Sequence, residues 1–355
     1  MRRVLINAPA ALVLVNRSEG VVNLPIRTVD RVLKTELRIF NQLIQLVIDT
    51  GSISFHVMLS DLGMDTASFA EAINEEALTV KKYGRVQIDL LPIGGAVALL
   101  PARTSLKMEL GVGISASIAN GEEREISEGI SLLGLGFPRK QSGSFLQQLI
   151  THGVIKHNVF TIVVDNEGNG ELLLGQLKPQ ETREVGTLVY LPLFNGHYNL
   201  KWRVYLAKIS NGHSSLTYFG NDIVINAPAL LDSGAWSIGC PEESIAELIL
   251  LIQTTATRMK KHQVWVGQGI SIYVQCDDVK YFPDLKLHFK LEDGTTMSTT
   301  IKPRHYVYDL DPGTVDGLCK LRLKYSKRWL LGTPFFLGRA IRFNGIDQTV
   351  GLALH

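Results

Sequence analysis

The sequence predicts a β-dominated protein of two lobes. Three observations carry that expectation. One motif occurs twice, once in each half of the chain. Short runs rich in β-branched and aliphatic residues are punctuated by Gly, Asn and Pro. Helix-end signals, by contrast, frame only two stretches, and few helices among many strands indicate an all-β fold.

The repeat comes first, because a missed repeat misreads the whole fold. Val47-Ile48-Asp49-Thr50-Gly51-Ser52 is matched by Leu230-Leu231-Asp232-Ser233-Gly234-Ala235. Each copy has two apolar residues, then Asp, a hydroxyl residue, Gly and a small residue. A second pair follows: Leu132-Leu133-Gly134 in the first half and Leu330-Leu331-Gly332 in the second. An Asp-Thr/Ser-Gly tripeptide arises by chance in roughly one chain in six of this length. A single copy would read as a β-turn. Two copies, each with a matching apolar-Gly element behind it, do not.

The strands are expected at Leu43–Ile48, Val159–Val164, Glu171–Leu174, Leu188–Leu193 and Trp202–Ile209. The alternating Lys320-Leu-Arg-Leu-Lys324 reads as a strand with one solvated face. Ser144–His152 and Pro241–Met259 are the helix candidates. The second starts on Pro, carries Glu242 and Glu243 in its first turn and ends on basic residues. The polar stretch Pro179–Gly186 places the lobe boundary. Residues 20–186 then form an N-terminal lobe, 187–355 a C-terminal lobe, and 1–19 a signal-like or leader segment, since Met1-Arg-Arg3 precedes an apolar run.

The chain has 355 residues, 45% hydrophobic and 20% charged, with a formal net charge of +2. That balance gives no reason to expect a nucleic-acid or membrane partner. No apolar run reaches the roughly 18 residues of a membrane-spanning helix. Cys240, Cys276 and Cys319 are too few for a disulfide-built scaffold. No Cys-x-x-Cys occurs, and the nine histidines lack metal-ligand spacing, so neither metal nor cofactor is expected.

Two carboxylates held close share one proton, because like charges at short range do not both ionise cheaply. The ionised partner takes a proton from water; the protonated one hydrogen-bonds the scissile carbonyl. Gly after each Asp-hydroxyl pair lets backbone approach closely. One Asp from each lobe would meet at the interface, where clefts usually lie.

At this point the residues resemble the pepsin-like aspartic proteases, from about Leu33 to Leu354. The strongest pieces are Val47–Ser52, Leu231–Ala235, Trp329-Leu-Leu-Gly-Thr-Pro-Phe335 and Gly351-Leu-Ala353. Supporting pieces are Gly134-Leu-Gly-Phe137, Gly153-Val-Ile155 and Glu171-Leu-Leu-Leu-Gly175. The resemblance implies a bilobal acid-protease fold with a few short helices and a central cleft that takes an extended peptide or protein substrate. It implies an aspartic endopeptidase that works through an activated water with no covalent intermediate. Asp49 and Asp232 would be the catalytic pair, and Thr50 and Ser233 the hydroxyls that brace the two loops. Gly51 and Gly234 would permit their approach, and Gly134 and Gly332 would lie in the psi-shaped loops beneath. Ser52 would hydrogen-bond the outer oxygen of Asp49. Its counterpart Ala235 has no hydroxyl, which makes Asp232 the expected less acidic partner and extends activity toward neutral pH. Cys276 and Cys319 would form the second lobe's disulfide, with Cys240 a buried free thiol. A monomer in the secretory pathway, extracellular or endolysosomal, completes the implied picture.

The sequence also departs from the family. Tyr83-Gly84 is the nearest match to the Tyr of the mobile hairpin that covers substrate, but Arg85–Arg103 lacks the Gly/Ser-rich pattern. His56 falls where the family has a Trp that pairs with that Tyr. The disulfide near the first Asp is absent. Gly20–Leu33 reads as a first strand, with a faint likeness to a zymogen prosegment. An alternative is a catalytically inactive, pepsin-like peptide-binding protein. A serine hydrolase is suggested only by Ala235-Trp-Ser237-Ile-Gly239, which mimics a nucleophile elbow without the β/α alternation that motif needs.

Overall fold

The computed structural model describes residues 20–63, 78–83, 86–100, 104–118, 130–137, 143–177, 186–194, 201–212, 222–260, 272–309 and 317–353. Up to the end of β11 the chain runs β1 (Val22–Val29), β2 (Val32–Ile39), β3 (Gln42–Asp49), β4 (Phe55–Met58), β5 (Thr79–Tyr83), β6 (Val86–Leu100), β7 (Thr104–Ile118), β8 (Leu132–Gly134), helix α1 (Phe145–Thr151), β9 (Val159–Val164), β10 (Asn169–Leu174) and β11 (Leu188–Pro192), the last of these already in the second half. In the second half come β12 (Arg203–Asn211), β13 (Ile223–Leu231), β14 (Ile238–Cys240), helix α2 (Glu242–Lys260), β15 (Tyr273–Gln275), β16 (Leu285–Lys290) and β17 (Thr296–Ile301). The chain continues with helix α3 (Pro303–Tyr306), β18 (Val307–Asp309), β19 (Leu318–Leu321), β20 (Leu323–Tyr325), β21 (Trp329–Leu331), helix α4 (Thr333–Phe336), β22 (Arg339–Asn344) and β23 (Thr349–Ala353).

Period-two patterning makes the first strands. Val22, Leu24 and Ile26 of β1 are buried while Pro25 and Arg27 face out. Leu33, Leu37 and Ile39 do the same in β2, against exposed Glu36 and Arg38. The two-residue turn Asp30-Arg31 joins them with φ of 51° and 72°, the positive values a hairpin turn of this length requires. β1 also pairs antiparallel with β10, so this segment is a strand of the sheet and not a separate plug. α1 buries Phe145, Leu146 and Leu149, and the Ser144 hydroxyl accepts from the Gln147 amide at its start.

Among the described residues a 13-stranded sheet has the order β11-β23-β22-β9-β10-β1-β2-β3-β8-β4-β7-β6-β5, and a 7-stranded sheet the order β17-β16-β12-β13-β21-β14-β20. The motif repeat is therefore a repeat of topology. β3 runs parallel to β8, β8 antiparallel to β4, and β4 parallel to β7. In the second half β13 runs parallel to β21, β21 antiparallel to β14, and β14 parallel to β20. β22 and β23, although late in the chain, pair into the first sheet through β9 and β11. The halves thus share a sheet.

Between them lies an aromatic core. Trp202 is fully buried, 5.0 Å from the Phe137 ring centroid, 5.7 Å from Phe160 and 5.1 Å from Phe343. Cys276 and Cys319 form a disulfide with Cα atoms 5.0 Å apart, and Cys240 is a buried free thiol. One expectation fails locally. Lys320–Lys324 is not one strand with a wet face: it breaks at Arg322, which is 8% exposed, into β19 and β20. Arg322 turns inward over the Tyr308 ring, at 5.7 Å from the centroid, where its aliphatic stem is buried and its guanidinium meets an aromatic face.

Candidate active site

β3 ends on Asp49, and Asp232 directly follows β13. The loops after the two strands clasp each other through reciprocal hydrogen bonds. The Thr50 amide donates to Ser233 Oγ at 3.1 Å, and the Ser233 amide donates to Thr50 Oγ1 at 3.0 Å. Thr50 Oγ1 also donates to the Leu231 carbonyl at 2.8 Å, and Ser233 Oγ to the Ile48 carbonyl at 2.6 Å. Both hydroxyls are buried, so each such bond is costly to lose.

Gly134 and Gly332 sit beneath these loops. Gly134 pairs with Asp49 in the β3–β8 register, and its amide donates to the Ser54 carbonyl at 2.8 Å. The Leu135 amide donates to the Asp49 carbonyl at 2.8 Å. In the second half the Asp232 amide donates to the Leu331 carbonyl at 3.0 Å. A Cβ on Gly134 would stand 2.3 Å from the Ser54 oxygen, and one on Gly332 would stand 2.3 Å from the Ser237 oxygen. Both positions need glycine for close backbone approach.

The same holds between the two carboxyls. A Cβ on Gly51 would lie 2.6 Å from Asp232 Cγ, and one on Gly234 would lie 2.6 Å from Asp49 Cγ. Each aspartate therefore packs on the other motif's glycine, which brings the two carboxyls together. Asp49 accepts from the Gly51 amide at 2.7 Å and the Ser52 amide at 3.1 Å, both on Oδ1. Asp232 accepts from the Gly234 amide at 3.2 Å, while the Ala235 amide turns to the Asp232 carbonyl.

Burial, the charge of Asp232 and the bond to it hold Asp49 well above the ordinary carboxylate range, against the pull of the two amides. Burial also raises Asp232, but the bond from Asp49, the Gly234 amide and the fields of Lys201 and Lys324 act the other way. Two carboxyls so close hold one proton between them, titrate as a unit and present an acid beside a base. Ala235 lacks the hydroxyl of Ser52, and the fields of two lysines outside the motif act against the rise at Asp232.

The Ser52 hydroxyl is also placed differently than expected. It accepts from the Ser54 amide at 3.1 Å, and the Ser52 amide is what reaches Asp49. His56 is fully buried, with Nδ1 3.1 Å from Ser54 Oγ and Nε2 2.9 Å from the Ile130 carbonyl. Burial lowers its pKa to about 4, so the ring is neutral. The Tyr83 backbone closes β5, opposite Val86 in the β5–β6 register; its side chain lies outside the described residues, as does Gly84. Ser237 is buried, and its hydroxyl meets no hydrogen-bond partner, which leaves the elbow-like motif without a base.

Trp202 is the site residue that sequence reasoning missed. Its indole N–H donates to the Leu135 carbonyl at 2.8 Å, and its carbonyl accepts the Leu231 amide at 2.9 Å. Leu135 in turn donates its amide to the Asp49 carbonyl, so one residue, through its indole and its main-chain carbonyl, ties the strand ends beneath both aspartates. A Trp within a strand-like run carries no such signal in one sequence.

A cleft of about 620 Å³ opens beside the Asp49 loop, lined by Ser52, Ser54, Lys81 and Pro92 among others, so the β5–β6 hairpin forms part of its wall. No group of His, Cys, Asp and Glu among the described residues has the arrangement of a metal site.

A family model described as "Asp: Eukaryotic aspartyl protease" matches residues 112–355. That stretch contains Asp232, Gly134, Gly332 and both bridged cysteines, whereas Asp49 precedes it. A comparison with curated proteins finds no match. The equivalence of the Asp49 loop thus rests on topology and on its reciprocal bonds with the matched half. The chain belongs to the eukaryotic aspartyl protease family.

Proposed function

We propose that this chain is an aspartic endopeptidase with Asp49 and Asp232 as its catalytic pair. One observation carries the reading: a buried Asp49 and a half-buried Asp232 are each seated on the other motif's glycine, which brings their carboxyls together. Water between them loses a proton to Asp232 and attacks the scissile carbonyl, which Asp49 polarises by donating its proton. The tetrahedral intermediate collapses with a proton passed to the leaving amine, and no atom of the enzyme bonds to substrate. Thr50, Ser233, Gly134 and Gly332 position the pair, and Ser52 contributes its amide.

The lobes are residues 20–186 and 187–355, exchanging β22 and β23 across the shared sheet. The substrate is an extended peptide between them, and the enzyme acts as a monomer. The Cys276–Cys319 bridge supports an oxidising, secretory location, extracellular or endolysosomal.

Incubation with an unfolded protein across pH 3 to 7 tests the reading. Cleavage should vanish in Asp49→Asn and in Asp232→Asn, and hydrolysis in heavy-oxygen water should label the new carboxyl within a single turnover. Full cleavage by Asp49→Asn refutes the assignment. The second reading is a peptide-binding protein that does not cut. What favours it is His56, which stands where the family places a Trp and whose ring nitrogens meet Ser54 and Ile130. Peptide binding without cleavage at any pH decides for it.

A further inference from the structure

Three lysines stand about the loop that begins at Asp232. Lys201 precedes Trp202, whose carbonyl accepts the Leu231 amide at 2.9 Å, one residue from Asp232. Lys324 lies opposite Gly239 in the β14–β20 register, and β14 pairs in turn with β21, whose Leu331 carbonyl accepts the Asp232 amide. Both lysines act electrostatically on the Asp232 carboxyl. Lys320 Nζ stands 5.8 Å from the Trp236 ring centroid and 5.8 Å from that of Tyr273. Trp236 belongs to the loop that begins at Asp232.

These three cations have no acidic partner among the described residues. The ion pairs found there join Lys34 to Asp30, Lys208 to Asp222 and Lys260 to Asp278. Lys324 is exposed, and Lys201 and Lys320 are half-buried. Lys320, half-buried between two aromatic rings, and Lys201 and Lys324, which flank the Asp232 loop, lack a carboxylate of their own among the described residues and are complementary to one that arrives from outside.

We propose that Lys201, Lys320 and Lys324 select peptides that carry Asp or Glu side chains near the scissile bond. The inference rests on the peptidase reading only in supposing that a peptide lies along the dyad. The charge of the dyad itself opposes a carboxylate at the cut, so the preference falls on side chains one or more residues away. Each exposed pair contributes modestly, and three together correspond to roughly tenfold.

The test uses three labelled peptides with one apolar core and flanks of Glu, Gln or Lys. Binding is read by fluorescence anisotropy without turnover, at low and high salt, alongside kcat/KM for any peptide that is cut. The Glu peptide should bind roughly tenfold more tightly than the Lys peptide, and the gap should shrink as salt screens it. The triple variant Lys201→Glu, Lys320→Glu, Lys324→Glu should reverse the order of binding, the Gln triple should abolish it, and binding of the Gln-flanked peptide should respond to neither. A Glu-to-Lys ratio within twofold, or one that both triple variants leave unchanged, overturns the proposal. A preference without cleavage keeps this inference and sinks the peptidase reading; cleavage without preference does the opposite. Binding of none of the three peptides overturns both.

Discussion

Gly51→Ala isolates the closest approach in the site. The added methyl would stand 2.6 Å from Asp232 Cγ and 2.7 and 2.8 Å from its two oxygens. Ordinary carbon contacts lie at about 3.5–4.0 Å, so the carboxyl must retreat by roughly 1 Å. Gly51 does not have the left-handed φ that excludes side chains, so its own backbone accepts alanine and the strain falls on Asp232. A shift of roughly 1 Å costs about a hundredfold in rate, while overpacking costs about 1–3 kcal/mol of stability. The loss should appear in kcat, with peptide binding retained. Moving the carboxyls apart also weakens the charge and hydrogen bond that hold Asp49 high, so the basic limb of the pH–rate profile should move to lower pH. The assay is kcat/KM on a fluorogenic peptide from pH 3 to 8, with Gly234→Ala as the mirror variant. Gly94→Ala is the silent control, since nothing lies within 4 Å of its added methyl. Gly51→Ala within threefold of wild type, with its basic limb in place, refutes the reasoning that contact between glycine and the opposite carboxyl sets the dyad.

Ser233→Ala removes a hydroxyl that donates to Ile48 and accepts from Thr50; chemical denaturation should show a loss of about 1–3 kcal/mol, and the Thr50→Val double variant should lose less than the sum. Trp202→Phe keeps the aromatic packing but leaves the Leu135 carbonyl without its donor, so kcat should fall more than KM changes; equal loss of both would mean Trp202 is packing alone. Cys276→Ser opens a 43-residue loop and should cost about 2–4 kcal/mol by thermal unfolding. His56 and His305 are pushed by burial to about 4 and about 3, from an ordinary 6.5. Their folded values lie below the unfolded one, so stability is full above pH 6.5 and declines as pH falls toward 4. His56→Gln should flatten that decline by at most roughly 3 kcal/mol, read as melting temperature against pH.

The fold was legible where period and punctuation agree. Val159–Val164 is the predicted strand residue for residue, and both helix candidates form within a residue or two of their expected ends. The loops were legible because the repeat encodes them: hydroxyl, glycine and apolar-Gly elements all stand where reciprocal bonding needs them. What was not legible depends on distant chain. β22 and β23 crossing into the first sheet is decided by pairing with β9 and β11, and no local signal marks it. The inward turn of Arg322 is likewise invisible, because alternation of Lys, Leu and Arg is identical for a solvated strand and for one broken where an aromatic ring waits.

The asymmetry of the dyad makes the same point in chemical terms. Within the motif, the two aspartates differ by Ser52 against Ala235, and that difference alone assigns the higher pKa to Asp232. In the fold the Ser52 hydroxyl is spent on Ser54 and the Ser52 amide reaches the Asp49 carboxyl, whereas the Ala235 amide turns to the Asp232 main-chain carbonyl. A further difference lies outside the motif, in Lys201, 31 residues before Asp232, and Lys324, 92 residues after it, whose fields act on Asp232. If that is the cause, Lys201→Gln with Lys324→Gln should raise the acidic limb of the pH–rate profile toward the basic one and narrow the bell. The lysine fields stabilise the ionised Asp232 that serves as base, and their removal weakens it without touching the proton on Asp49. An unshifted acidic limb in that variant would return the asymmetry to the loops themselves.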